Sequence, residues 1–228
     1  MTTYRIDDRT VTMPVEVRDA SAATVLFEVD ATAGQELLPA TFEVAETSPG
    51  RTNLAIALVD YRDNDLGAYL EVGIILFVQP TGGGEVGNFI VHLPVDQPFT
   101  CEAGRRIWGF PKTLQTIDRT DGAGTTTWTL TMDGEHVLTL TAPRGGDAEA
   151  PRLPMTSYTL IDGAPHATAF TQWGTGSGVV AGGAGVHLEL GSHPVAKELA
   201  SLGLPTGAAL STWTEHMQAT FETPRPLA

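Results

Sequence analysis

The stretch from residue 125 to residue 141 restricts the fold of this chain more than any other. Asp133-Gly134-Glu135 separates two segments, 125–132 and 136–141, in which large apolar side chains alternate with threonine. Trp128, Leu130 and Met132 share one face, and Val137 then switches to Leu138 and Leu140. A period of two is strand geometry. An Asp-Gly turn between two such runs specifies a hairpin, because both residues tolerate the positive φ that a tight turn imposes. Similar β-branched and aromatic enrichment marks strands at 24–29, 54–59, 69–78, 88–93 and 214–221.

Helix signals are few. Asp30 is placed to cap a helix over 31–38 that stops before Pro39. Thr100 can cap one turn at 101–103. Ser192 can cap 193–202, with Pro194 in the first turn and Gly203 as the stop. Two segments read as loops, the polar 144–153 and the glycine-rich 173–185. The second matches no dinucleotide, nucleophile-elbow or phosphate-loop pattern in register, so no cofactor is expected there. Strands therefore dominate from end to end. The expectation is one β-rich α+β domain over 1–228, of barrel or sandwich type, with a few short helices.

Composition removes several function classes. A formal charge of −14 disfavours nucleic acid and anionic lipid as partners. No apolar run approaches the ~20 residues a spanning helix needs. The beginning of the chain lacks the basic and apolar regions of a secretion signal, and Cys101 is the one cysteine, which together point to the cytoplasm. His187 and Glu189 could face a metal from one strand, but no third ligand follows at fixed spacing, so no metal is expected.

Of thirteen basic residues only two are lysines, Lys112 and Lys197. Lys197 falls on the 193–202 helix as a surface charge. Lys112 lies in Gly-Arg-Arg-Ile-Trp-Gly-Phe-Pro-Lys-Thr-Leu, residues 104–114, between large apolar side chains. Such a lysine either reaches solvent at the end of a hairpin or is buried for a purpose. Burial lowers an ammonium pKa. Making half the amine neutral at pH 7 requires a fall from about 10.4 to about 7, roughly 4.6 kcal/mol, which full desolvation can supply. The neutral amine can then attack a ketone and form an iminium.

The 104–114 segment resembles that of the acetoacetate decarboxylase family, in which a Gly-Arg pair is followed by apolar residues, an aromatic, proline and the Schiff-base lysine. The handful of residues Gly67-Ala-Tyr-Leu-Glu-Val-Gly73 resembles the family's Gly-x-Tyr-x-Glu-x-Gly segment, which implies that Glu71 enters the active site. Arg18 stands where the family has an arginine that holds a substrate carboxylate. Residues 193–205 resemble the family's late helix. The resemblance implies a closed antiparallel β-barrel in a homo-oligomer, catalysis by Lys112 with Glu71, and a substrate site lined by Arg18, Tyr69, Trp108 and Phe110. The chain departs from the family pattern at Thr113, where a second lysine is usual. It departs again at Arg106, where an acidic residue is common, and in 53–60, where an inward glutamate is missing. The implied activity is decarboxylation of a small β-keto acid. The same lysine could serve aldol or dehydration chemistry on pyruvate-like acids, or the barrel could bind a small ligand without catalysis.

Overall fold

The computed structural model describes residues 2–227. In chain order the elements begin with β1 (Thr3–Ile6), β2 (Arg9–Thr12), β3 (Val15–Asp30), α1 (Ala31–Glu36), β4 (Phe42–Val44), β5 (Glu46–Ser48), β6 (Arg51–Asn64), β7 (Tyr69–Pro80) and β8 (Gly87–Val95). They continue with α2 (Pro98–Trp108), β9 (Lys112–Leu114), β10 (Thr116–Gly122), β11 (Thr125–Met132), β12 (Glu135–Pro143), β13 (Ala148–Ile161) and β14 (Ala164–Ala181). The last are β15 (His187–Leu190), α3 (Pro194–Ser201), β16 (Leu210–Phe221) and β17 (Arg225–Pro226).

Seven strands close a ring in the order β7-β6-β3-β16-β14-β13-β8, with β8 returning to β7. Every seam is antiparallel except β8–β13, which is parallel. A separate four-stranded sheet, β10-β11-β12-β15, contains the Asp133-Gly134 hairpin. β6 and β7 are largely apolar on both faces, and the pleat separates two tasks. On β6, Leu54, Ile56 and Leu58 point outward and join a core with Trp128, Leu130, Leu138 and Leu140 of the outer sheet. The alternate residues Ala55, Ala57, Val59 and Tyr61 line a cavity inside the ring. On β7, Val72, Ile74 and Leu76 point outward, while Glu71, Gly73 and Ile75 face the cavity. α2 and the β1–β2 hairpin pack on the inward residues Val15, Val17, Tyr61 and Tyr69, and so cover one end of the barrel.

Four expectations change, one of them the cap of α3, which is His193, whose Nδ1 accepts from the Val195 N–H, rather than Ser192. Segments 144–153 and 173–185 are not loops, for they lie largely in β13 and β14, which pair with each other. Glycine suits β14 because the neighbouring backbone comes close: a Cβ on Gly174 would stand 2.5 Å from the His216 carbonyl oxygen. The single turn expected after Thr100 is the eleven-residue α2, capped one turn earlier by the Gln97 side chain. Among the described residues no helix is long and apolar enough to cross a membrane.

Leu130 is fully buried between the outer sheet and the barrel. Leu130→Ala is expected to lower the free energy of unfolding by about 2–5 kcal/mol in a urea titration, since a rigid two-sheet interface cannot collapse around the cavity.

Candidate active site

The site begins with the way the chain leaves α2. The helix ends at Gly109, whose φ of 69° is open to glycine at little cost. A side chain here would also collide with β13, as a Cβ would lie 2.6 Å from the Leu160 carbonyl oxygen. The Phe110 N–H turns back to the Gly104 carbonyl at 3.2 Å. The Lys112 N–H then donates to the Phe110 carbonyl at 2.8 Å, across Pro111. This is a three-residue turn whose central φ is set by the proline ring. Two tight turns thus convert helix into β9, which pairs with β8 so that Lys112 stands beside Leu93. Lys112 faces inward and Thr113 is exposed. The departure from the family pattern at Thr113 therefore lies on the far side of the strand from the amine.

Gly104 makes room for the lysine stem. A Cβ there would fall 2.6 Å from Lys112 Cδ and 2.8 Å from Cε. The methylenes lie directly on the helix backbone, and the glycine of the Gly-Arg pair has a steric reason.

Lys112 Nζ is 2.8 Å from Glu71 Oε2, with 4% of the lysine and 8% of the glutamate exposed. The same nitrogen donates to Thr100 Oγ1 at 2.9 Å and approaches the Tyr69 hydroxyl at 3.4 Å. It also lies 4.7 Å from the centre of the Tyr69 ring. The other Glu71 oxygen accepts from the Tyr61 hydroxyl at 3.1 Å. Tyr61 stacks on Tyr69 at 4.4 Å between centroids. The five polar side chains form one buried network, and each charged group has both an opposite charge and a hydrogen-bond partner.

The protonation state differs from the desolvation argument. Burial alone pulls the Lys112 pKa down, but the Glu71 carboxylate and the Tyr69 oxygen more than offset it, so the pKa stands above its ordinary value. The resting site is an ammonium–carboxylate pair. Burial pushes Tyr69 up to about 12 against the opposing pull of Lys112, and burial with the Glu71 charge raises Tyr61 further. Both phenols are neutral donors at ordinary pH. Burial likewise pushes the Cys101 thiol up, which makes it a weak nucleophile.

Tyr69, Glu71, Trp108, Phe110 and Lys112 all line one cavity of about 200 Å³. Trp108 is held by its indole N–H, which donates to the Glu222 carbonyl at 2.9 Å, and by stacking on Phe110 at 5.6 Å. The structure does not bring Arg18 to this set. On β3 the inward residue is Val17, while Arg18 is half exposed and bound to Asp63 at 2.8 Å and Asp65 at 2.7 Å. The two carboxylates raise its pKa and hold it on the outer surface, where the carboxylate-binding expectation finds no geometric support. Tyr61 and Thr100 belong to the network and carry no sequence signature. The register Tyr61↔Tyr69 reveals the first, and the helical start of α2 the second. The exposed side chains of His187 and Glu189 meet each other at 3.0 Å on β15.

The family model for acetoacetate decarboxylase matches residues 2–226. Among curated proteins none matches. A solved acetoacetate decarboxylase from Legionella pneumophila is similar with a TM-score of 0.70 and 20% identity, covering 94% of this chain and 87% of that one. The enduracididine biosynthesis enzyme MppR, solved with pyruvate, is similar with a TM-score of 0.66 and 16% identity, covering 96% and 91%. An acetoacetate decarboxylase-like enzyme from Sphingomonas wittichii RW1 has a TM-score of 0.62 and 17% identity, covering 96% and 94%. At these identities the solved structures establish a shared fold.

Two substitutions test the geometry. Glu71→Gln removes the charge that raises the Lys112 pKa and leaves burial in control, so the amine becomes neutral at lower pH. The pH profile of Lys112 acylation, read by peptide mass, is expected to move to the acid side of wild type; an unmoved profile would show that the pair does not govern the amine. Gly104→Ala improves helix propensity by about 1 kcal/mol but displaces the lysine stem. Helical content is expected to persist while the pH profile of Lys112 acylation departs from that of wild type.

Proposed function

We propose that this chain, which belongs to the acetoacetate decarboxylase family, acts on a keto acid through a Schiff base at Lys112. The observation that carries this reading is a buried primary amine, 2.8 Å from a buried carboxylate, facing an internal cavity. A structural ion pair could be replaced by apolar side chains at little cost, whereas imine chemistry needs an amine and a group that exchanges protons with it.

The proton balance follows from the pair. Transfer of one proton from Lys112 Nζ to Glu71 gives a neutral amine and a neutral acid, a step up from the resting ion pair that burial makes less costly because it disfavours both charged forms. The amine adds to the substrate carbonyl, and the nitrogen loses a proton as the carbonyl oxygen gains one. Protonated Glu71 then gives its proton to the carbinolamine hydroxyl, which leaves as water. The product is an iminium beside a Glu71 carboxylate, so the starting charges are restored. In a β-keto acid the bond to the carboxylate breaks next, its electrons pass to the iminium, and carbon dioxide leaves an enamine. Protonation at carbon and addition of water then free the ketone and Lys112.

Among the described residues, Lys112 is the one cationic side chain lining the cavity. A substrate carboxylate thus meets no fixed cation once the iminium has formed, and it lies in the same enclosure as Glu71. A loose hold on the departing group suits decarboxylation, because a tight grip would stabilise the ground state.

The same iminium supports a second reading, condensation or dehydration of a pyruvate-like acid. In its favour, the cavity continues beyond the amine past Ala57 and Gly73, which face one another across β6 and β7 and leave room for a second reactant.

Sodium borohydride added with acetoacetate, and separately with pyruvate, tests the proposal. The expected outcome is a reduced adduct on the Lys112 peptide, not on that of Lys197, and none in Lys112→Ala. Carbon dioxide release from acetoacetate would support decarboxylation. Product formed only from pyruvate and an aldehyde would support the second reading. Absence of an adduct with any keto acid in folded protein would leave a ligand-binding barrel.

A further inference from the structure

We infer that the cavity is built for a keto acid bearing an uncharged hydrogen-bonding group on a chain beyond its carbonyl, received by Ser157 of β13 and Asn88 of β8. This inference rests on the Schiff-base reading and adds the part of the substrate that the lysine does not touch.

The patch centres on Ser157. It lines the same cavity as Lys112, is 2% exposed, and its Oγ has no hydrogen-bond partner. Its neighbours across the two adjoining seams are Asn88 on β8 and Thr168 on β14. Side chains of directly paired residues share a face and stand about 5 Å apart at Cβ. Thr168 is fully buried, and its Oγ1 is also unpartnered. Thr159, two residues along β13 and hence on the same face, repeats the pattern. Asn88 adds an amide to the cavity wall. Among the described residues four buried hydroxyls lack a partner, and three of them share this inward face. The fourth, Ser211, is paired with Val25, whose side chain belongs to the outer core. Thr159 and Thr168 lie on this face outside the cavity lining, whereas Ser157 opens onto the cavity itself. A buried hydroxyl without a partner carries a desolvation cost, so Ser157, with the Asn88 amide beside it, points to a polar group that completes it.

Charge and position define that group. Lys112 and Glu71 are the charged residues lining the cavity, and both belong to the reacting centre. A second carboxylate or a phosphate on the substrate would be desolvated without a cation. A hydroxyl and an amide instead match an alcohol, an amide or an ester. Asn88 and Leu93, the β8 residues beside Ser157 and Lys112, are five residues apart, but a bulge between Ile90 and His92 takes up one of them, which leaves about 13 Å along the strand. The wall between them is apolar, with Ile75 and Ile90 facing inward. The reacting carbonyl and the polar group are therefore joined by an aliphatic chain, and acetoacetate or pyruvate is too short to reach both.

The test measures borohydride trapping of Lys112 against concentration for keto acids of equal, medium chain length ending in a methyl, a hydroxyl or a carboxylate. Acetoacetate and pyruvate serve as short references. Wild type is compared with Ser157→Ala and Asn88→Leu. The hydroxyl-ended acid is expected to half-saturate at a concentration about tenfold below that of the methyl-ended acid. Each variant should cut that advantage to about twofold while trapping the short acids as wild type does, which also shows that the barrel is intact. Equal trapping of all tails by wild type, or preference for the carboxylate, overturns the inference whatever the variants do. So does an advantage that survives in both variants. Trapping of the short acids alone would leave the Schiff base standing and remove only the tail. If no keto acid is trapped, the Schiff-base reading fails and this one falls with it.

Discussion

The ion pair between Lys112 and Glu71 is the constraint around which the rest of the barrel is arranged. Moving an ammonium and a carboxylate out of water costs several kcal/mol per ion, and a bare pair recovers that cost only with good geometry and further hydrogen bonds. The chain supplies both. Thr100 receives one lysine proton, Tyr61 donates to the carboxylate, and the Tyr69 ring faces the ammonium. Gly104, Gly109 and Pro111 have no chemistry of their own, yet each is needed to carry the lysine from a helix end to that position.

Because the interior is given to polar chemistry and open space, stability has to come from elsewhere. The outward faces of β3, β6 and β7 provide it by packing on a second sheet and on α3. Cations and carboxylates bind the edge of that interface. Arg119 of β10 joins Asp60 of β6 and Asp121, and Arg144 joins Asp121 and Glu215 of β16. The barrel can therefore keep a cavity at its centre, since its walls are supported from outside.

The sequence made legible what depends on local pattern. The Asp133-Gly134 hairpin is present, and strand 69–78 lies within β7. Lys112, Glu71, Tyr69, Trp108 and Phe110, which short local motifs single out, line one cavity. What depends on distant neighbours stayed hidden. Glycines at 174–178 look like a loop until the backbone of β16 is beside them. The eleven residues of α2 contain two threonine or cysteine positions and a glycine, weak helix formers that tertiary contact overrides. Arg18 was assigned to the pocket, but β3 shifts register between Val17 and Asp19, and that irregularity is invisible in one dimension. The amine's protonation was misjudged for the same reason, because desolvation can be guessed from apolar neighbours in sequence while the distance to Glu71 cannot.

The closure of the ring also orders events in time. β6, β7 and β8 follow one another and can pair as soon as they are made. The other edge of β3 must wait for β16, where Leu26 meets Leu210, and β8 must wait for β13. A partly synthesised chain already contains both Lys112 and Glu71, but water still reaches them, and the amine behaves as any other lysine. Only when the last long-range seam forms does the barrel exclude water from the pair, and only then does Glu71 hold the Lys112 pKa above its ordinary value.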